Sequence, residues 1–170
     1  MHLLSTLAAF FAVAVQASNC CNAGGFIVTK KVTPAYWRAT FSCPPLNLEG
    51  AAFLRDFYSL VDKIEADPDV NVVVFDSNVP GFWLDHFNIQ PGAVPPELTT
   101  AVYWGNVTRL ANLPVLTVAA IRGIARGGGA EIAAVLDVRF GSKEKTVLGQ
   151  LEVGTGEFLG KQAPGNSGRR

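Results

Sequence analysis

The chain has 170 residues, enough for one domain with a substantial core and too few for two. Apolar residues make up 49% and charged residues 16%, which excludes disorder as the general state. Fourteen Lys and Arg balance fourteen Asp and Glu, so global charge offers no footprint for nucleic acid or an anionic membrane surface.

The N-terminus opens with an apolar run, Leu3 to Val15, followed by Gln16-Ala17. Small residues at Val15 and Ala17 suit signal peptidase, so residues 1–17 are expected to be a cleaved secretory signal. The run is shorter than a bilayer span, and no integral membrane span is expected in the mature chain. The protein is secreted if that signal is used, and cytoplasmic or organellar otherwise. Residues 18–33 read as a loose N-terminal extension. Of the three cysteines, Cys20 and Cys21 are adjacent, and Cys43 is free to pair with either in an oxidising compartment. Unpaired thiols without chemical role are the expected state. With only His2 and His86, no Cys/His spacing suits a metal.

The first clear strand is "YWRATF", Tyr36 to Phe41, ended by the prolines of "CPPLN". Phe53, Phe57, Leu60, Val61 and Ile64 then recur at helical spacing, and Asp67-Pro68 stops that helix. "VNVVVFD", Val70 to Asp76, is a β-branched run that predicts a strand buried on both faces. Ser77 to Pro96 is a loop rich in proline and aromatics. Residues 97–112 predict a second helix, "LPVLTVAAI" another buried strand, and "EIAAVLD" (Glu131 to Asp137) a short helix. The alternation of strands and helices predicts an α/β architecture with parallel strands. Residues 161–170 are polar, glycine-rich and patternless, and are expected to be a disordered tail. The sequon Asn106-Val107-Thr108 falls on a predicted helix and carries no expected meaning there.

The segment "GIARGGGAE", Gly123 to Glu131, is the chemical landmark. Its glycines do not fall at dinucleotide-binding spacing, and Ala130-Glu131 stands where a P-loop needs Lys-Ser/Thr. An oxyanion hole suits it better. Glycine lets a substrate carbonyl approach the backbone, a helix N-terminus supplies N–H groups, and a carboxylate one turn on can move a proton. Taken alone, Glu131 reads as a helix-dipole partner more often than as a catalyst, and Glu152 as a solvated loop acid.

The combination of "LPVLTVAAIRGIARGGGAEIAAVLDVRFGS" and "LGQLEVGTG", with "YWRATFSCPPLN", "DPDVNVVVFDS" and "FWLDHFNI" before them, resembles the enoyl-CoA hydratase/isomerase (crotonase) superfamily. The likeness runs from about Tyr36 to Gly160. It implies an α/β crotonase-like fold, a spiral of ββα units, over residues 34–160, C-terminally truncated relative to the family. It also implies an acyl-CoA thioester as substrate, with no further cofactor and no metal. Carried over by position, the amides of Asp85 and Gly128 form the oxyanion hole. Glu131 and Glu152 become the catalytic acid and base, and Asp85, His86, Phe87, Asn88 and Gly128 contact substrate. Hydration or isomerisation of an enoyl-CoA through a thioester enolate is the implied reaction.

Three positions depart from the pattern: Asp85 replaces a small neutral residue, Asn88 a common aspartate, and Leu151 a common proline. The family's C-terminal helices have no counterpart before Arg170, so the family's homotrimer is not expected. A non-catalytic family remnant or interaction protein is the rival expectation, and a ligand site built on the Asp85–His86 loop a third. His86, a lone histidine among aromatics, reads as structural. Arg126 suits either a CoA phosphate or a nearby acid.

Overall fold

The computed structural model describes residues 21, 24–98 and 100–150. The expected signal peptide, the polar tail, and Leu151 and Glu152 lie outside those residues. Strands β1 (Ile27–Thr33) and β2 (Tyr36–Phe41) form an antiparallel hairpin, followed by helix α1 (Ala51–Ala66). Then come β3 (Val72–Ser77), β4 (Phe82–Leu84) and α2 (Thr100–Ala111). A second such unit follows: β5 (Leu116–Ile121), β6 (Ile124–Arg126) and α3 (Gly128–Val135). Strands β7 (Val138–Gly141) and β8 (Val147–Gly149) complete the described chain.

These units wind into two sheets. The long strands form a five-stranded sheet in the order β1-β2-β3-β5-β7, parallel except for the first hairpin. The short strands form a parallel three-stranded sheet, β4-β6-β8. The same winding begins one unit earlier, because Glu49 makes an isolated parallel bridge to Phe87 between β2 and α1. Each turn therefore runs from long strand to short strand to helix, the repeated ββα spiral expected from the sequence. No helix among the described residues is long and apolar enough to cross a membrane.

The core forms where α1 lays its apolar face on the long sheet. Phe53, Phe57, Leu60, Val61 and Ile64 are all buried there, as their spacing predicts, and Leu54 joins them. Phe41 packs edge-on against Phe53 and Trp83, and Trp83 Nε1 donates to the Phe75 carbonyl at 3.2 Å. That bond lets a fully buried indole keep its polar atom satisfied. At the far end, Asp137 accepts from the Thr117 amide (2.8 Å) and hydroxyl (2.7 Å), tying the end of α3 to β5. These bonds hold its carboxyl below the usual aspartate range.

Four expectations need correction. The segment to Thr33 is not loose throughout, because Ile27–Thr33 is an edge strand. Only Ile27 of its seven residues is buried, so it carries no alternation to detect. The proline-rich loop contains β4, three residues being too few for a pattern. Helix α3 begins at Gly128 rather than Glu131, so two of the glycines are helical. Finally, Cys21 is bonded to Cys43, where unpaired thiols were expected. Asp56 on α1 secures the same region by accepting from the amides of Phe26 (2.6 Å) and Ile27 (3.0 Å).

Reducing the Cys21–Cys43 bond, which closes a sequence separation of 22, is expected to cost about 2–4 kcal/mol of stability. Urea denaturation with and without reductant measures this, and coincident midpoints would contradict it.

Candidate active site

The site is assembled from three backbone segments: the turn before α1, the loop after β4, and the start of α3. In the first, Asn47 takes a left-handed conformation (φ 54°), which asparagine tolerates better than most residues. Its buried side chain accepts from the Cys43 amide (2.7 Å) and donates to Ser77 Oγ (2.9 Å) and the Trp83 carbonyl (2.8 Å). Asn47 thereby fixes the turn that delivers Glu49 to the interior.

In the second segment, residues 85–88 run parallel to residues 47–49. The Asp85 amide donates to the Asn47 carbonyl (3.1 Å), Glu49 N to the His86 carbonyl (3.1 Å), and Asn88 N to the Glu49 carbonyl (2.7 Å). The Asp85 amide is therefore committed to the backbone, and the oxyanion role assigned to it by resemblance loses its donor. Successive N–H groups of an extended chain point to opposite sides. With His86 C=O and Asn88 N–H facing Glu49, the Phe87 N–H faces the other way.

Asp85 itself is fully buried. Its carboxylate takes a two-point contact from Arg126, Nε at 3.0 Å and an outer guanidinium nitrogen at 2.8 Å. That contact decides between the two readings of Arg126: it pairs with an acid. The bonds to Asp85, ahead of its charge, raise the guanidinium pKa further. The carboxylate that departs from the family pattern is thus matched locally by a cation, which limits its opposition to negative charge nearby. His86 Nδ1 lies 2.7 Å from the Phe87 carbonyl, a local contact within the loop. The Asn88 side chain accepts from the Gln90 amide (3.1 Å), so its amide oxygen serves the turn that aspartate would.

The third segment starts at Gly127, whose φ of 52° and ψ of −125° suit glycine best. The amides of Gly128, Gly129 and Ala130 have no acceptor within the helix, while the Glu131 amide bonds the Gly127 carbonyl (3.0 Å). Close approach explains the next two glycines. A Cβ on Gly129 would sit 2.0 Å from the Leu84 carbonyl oxygen, and one on Gly128 would sit 2.2 Å from Glu49 Oε2. The costly glycine run therefore lets α3 press its N-terminus onto β4 and the Glu49 turn. Glu131 follows in the first turn of the helix.

Two residues that sequence reasoning missed complete the surroundings. Glu49 is fully buried with its carboxylate against Gly128. Tyr103 of α2 is also buried, its ring edge-on to Phe87 at 5.1 Å between centroids. Burial first, then the charges of Glu49 and Glu131, hold the Tyr103 hydroxyl protonated well above the ordinary phenol range. No sequence signal distinguishes a buried glutamate in "NLEG" from an exposed one.

The family model described as enoyl-CoA hydratase/isomerase matches residues 38–162. The chain belongs to that family. Mouse mitochondrial methylglutaconyl-CoA hydratase is 32% identical over 90 residues, covering 51% of this chain and 29% of the relative. The fatty acid oxidation complex subunit alpha of Idiomarina loihiensis is 33% identical over 121 residues, covering 68% and 17%. A candidate enoyl-CoA hydratase from Streptomyces avermitilis superposes with a TM-score of 0.66 at 32% identity, covering 77% of this chain and 49% of its own. This enoyl-CoA hydratase/isomerase family chain thus spans less than a third of those two curated relatives and about half of the solved structure.

Proposed function

We propose that this chain acts on an acyl-CoA thioester through a stabilised enolate, by hydration or isomerisation of an enoyl-CoA. The observation carrying this reading is the start of α3, where the Gly128 amide lies beyond the reach of any helical acceptor and Glu131 follows one turn on. The Gly128 amide and the outward-facing Phe87 amide are the donors proposed for the thioester oxygen, Phe87 replacing the committed Asp85 amide. In hydration, one glutamate takes a proton from water as the oxygen bonds the β-carbon. The double-bond electrons shift onto the thioester oxygen, and a proton then returns to the α-carbon. Glu131 and, by the family resemblance, Glu152 are assigned those two proton transfers, since a pair of carboxyls converging on one site shares protons more readily than both ionise.

Exposed apolar residues on β7 and β8, Phe140 (65%), Val147 (52%) and Leu148 (53%), favour a second reading as an interaction protein without turnover. One experiment separates the two. Butyryl-CoA incubated with the protein in D₂O is expected to gain deuterium at the α-carbon, followed by proton NMR. An unlabelled α-carbon after prolonged incubation would favour the non-catalytic reading.

A further inference from the structure

We propose that the Asp85–Arg126 ion pair is a positioning clamp for the reaction, holding the Phe87 and Gly128 amides at the separation where both reach one thioester oxygen. The inference rests on the enoyl-CoA reading above and adds to its site two side chains that touch no reacting atom. Parallel pairing between β4 and β6 ends at Leu84 and Ala125. Asp85 and Arg126 are the next residue on each side, and Phe87 and Gly128 follow two residues later on each. The pair therefore stands the same number of residues before both proposed donors.

Beyond the pair, the two segments bond to different neighbours. Residues 85–88 bond to residues 47–49 through the Asp85, Glu49 and Asn88 amides. Gly127 instead joins β8, its amide donating to the Gly149 carbonyl at 3.0 Å. Arg126 bridges the gap between them, with Nε (3.0 Å) on one oxygen of Asp85 and an outer nitrogen (2.8 Å) on the other. A two-point contact of this kind fixes both the distance and the plane of the groups it joins. Stability alone is a poor account of it, because a buried ion pair is often no more stable than well-packed apolar residues of the same volume. Fixed geometry is a better one. Oxyanion donors act by being preorganised around developing charge, and a misplacement of about 1 Å costs about 10²-fold in rate.

Arg126→Lys keeps the cation and loses the two-point contact. With crotonyl-CoA as substrate, kcat is expected to fall about tenfold with KM little changed, the pattern of an interaction weakened in the transition state. The carbonyl stretch of bound, carbonyl-labelled butyryl-CoA, read by infrared difference spectroscopy, is expected to move back toward that of the free thioester. Only protein that holds the thioester contributes the shifted band, so loss of folded protein cannot mimic the change. The double variant Asp85→Asn with Arg126→Gln removes one charge of each sign, and the same two effects are expected from it. Arg38→Lys is the control. Arg38 contacts the buried carboxylate of Asp76 through Nε (2.7 Å) and an outer nitrogen, between β2 and β3 and outside the three segments of the site. That variant should match the wild type in kcat and in band position. Wild-type kcat and carbonyl band in Arg126→Lys and the double variant, or equal losses in Arg38→Lys, would overturn the inference and leave the enoyl-CoA reading standing. A folded wild type that neither hydrates crotonyl-CoA nor shifts the butyryl-CoA carbonyl would remove both.

Discussion

Arg126→Met is expected to destabilise the protein by about 3 kcal/mol, the low end of the range for breaking a buried ion pair. The value sits low because the Arg126 side chain keeps 35% of its surface in water, which screens the pair. The loss comes chiefly from Asp85, whose fully buried side chain would be left without its matching cation. The pair also joins β6, which leads into the start of α3, to the loop after β4, so its removal loosens the hold on that loop. Asp85→Asn in the same chain should recover much of the loss, since a neutral amide carries no uncompensated charge. Chemical denaturation of the single and double variants measures both effects. Equal midpoints for wild type and Arg126→Met would show that the pair contributes little.

Glu131→Gln is the second large effect, and it falls on chemistry rather than stability. Glutamine keeps the size and hydrogen-bonding reach of the side chain but cannot take or give a proton at the working pH. General acid–base groups contribute about 10²–10⁴ in rate, and a fall of that order in kcat on crotonyl-CoA is expected. Glu131 sits in the first turn of α3, where a negative charge is also favourable with the helix dipole. The variant should therefore lose no more than a fraction of a kcal/mol in stability while losing most of its turnover. A purely structural Glu131 would give the reverse pattern.

What could be read in the sequence follows from how strongly each feature repeats. Helix α1 announces itself because five buried residues recur at helical spacing, and β2 because "YWRATF" alternates over six residues. β4, β6 and β8 span three residues each, too short for any period to emerge. The glycine run pointed correctly to a backbone constraint, but its cause was only half visible. Spacing removed the phosphate motifs and left an oxyanion hole, whereas the Leu84 carbonyl and the Glu49 carboxylate that crowd Gly129 and Gly128 are tertiary contacts. The same applies to the Asp85 amide. Its commitment to the Asn47 carbonyl depends on pairing two segments nearly forty residues apart in the chain, which local patterning cannot register. Glu49 and Tyr103 were missed for the opposite reason. A glutamate beside a glycine reads as exposed, and a tyrosine on a helical apolar face reads as core.

The central claim is that Gly128 and Glu131 frame a working acyl-CoA site. Hydration of crotonyl-CoA, followed as loss of the absorbance of its conjugated thioester, tests it most directly when the purified wild type and Glu131→Gln are run side by side. The account predicts steady turnover by the wild type and a loss of about 10²–10⁴ in the variant. Turnover unchanged by the substitution, or none by a folded wild type, would contradict it.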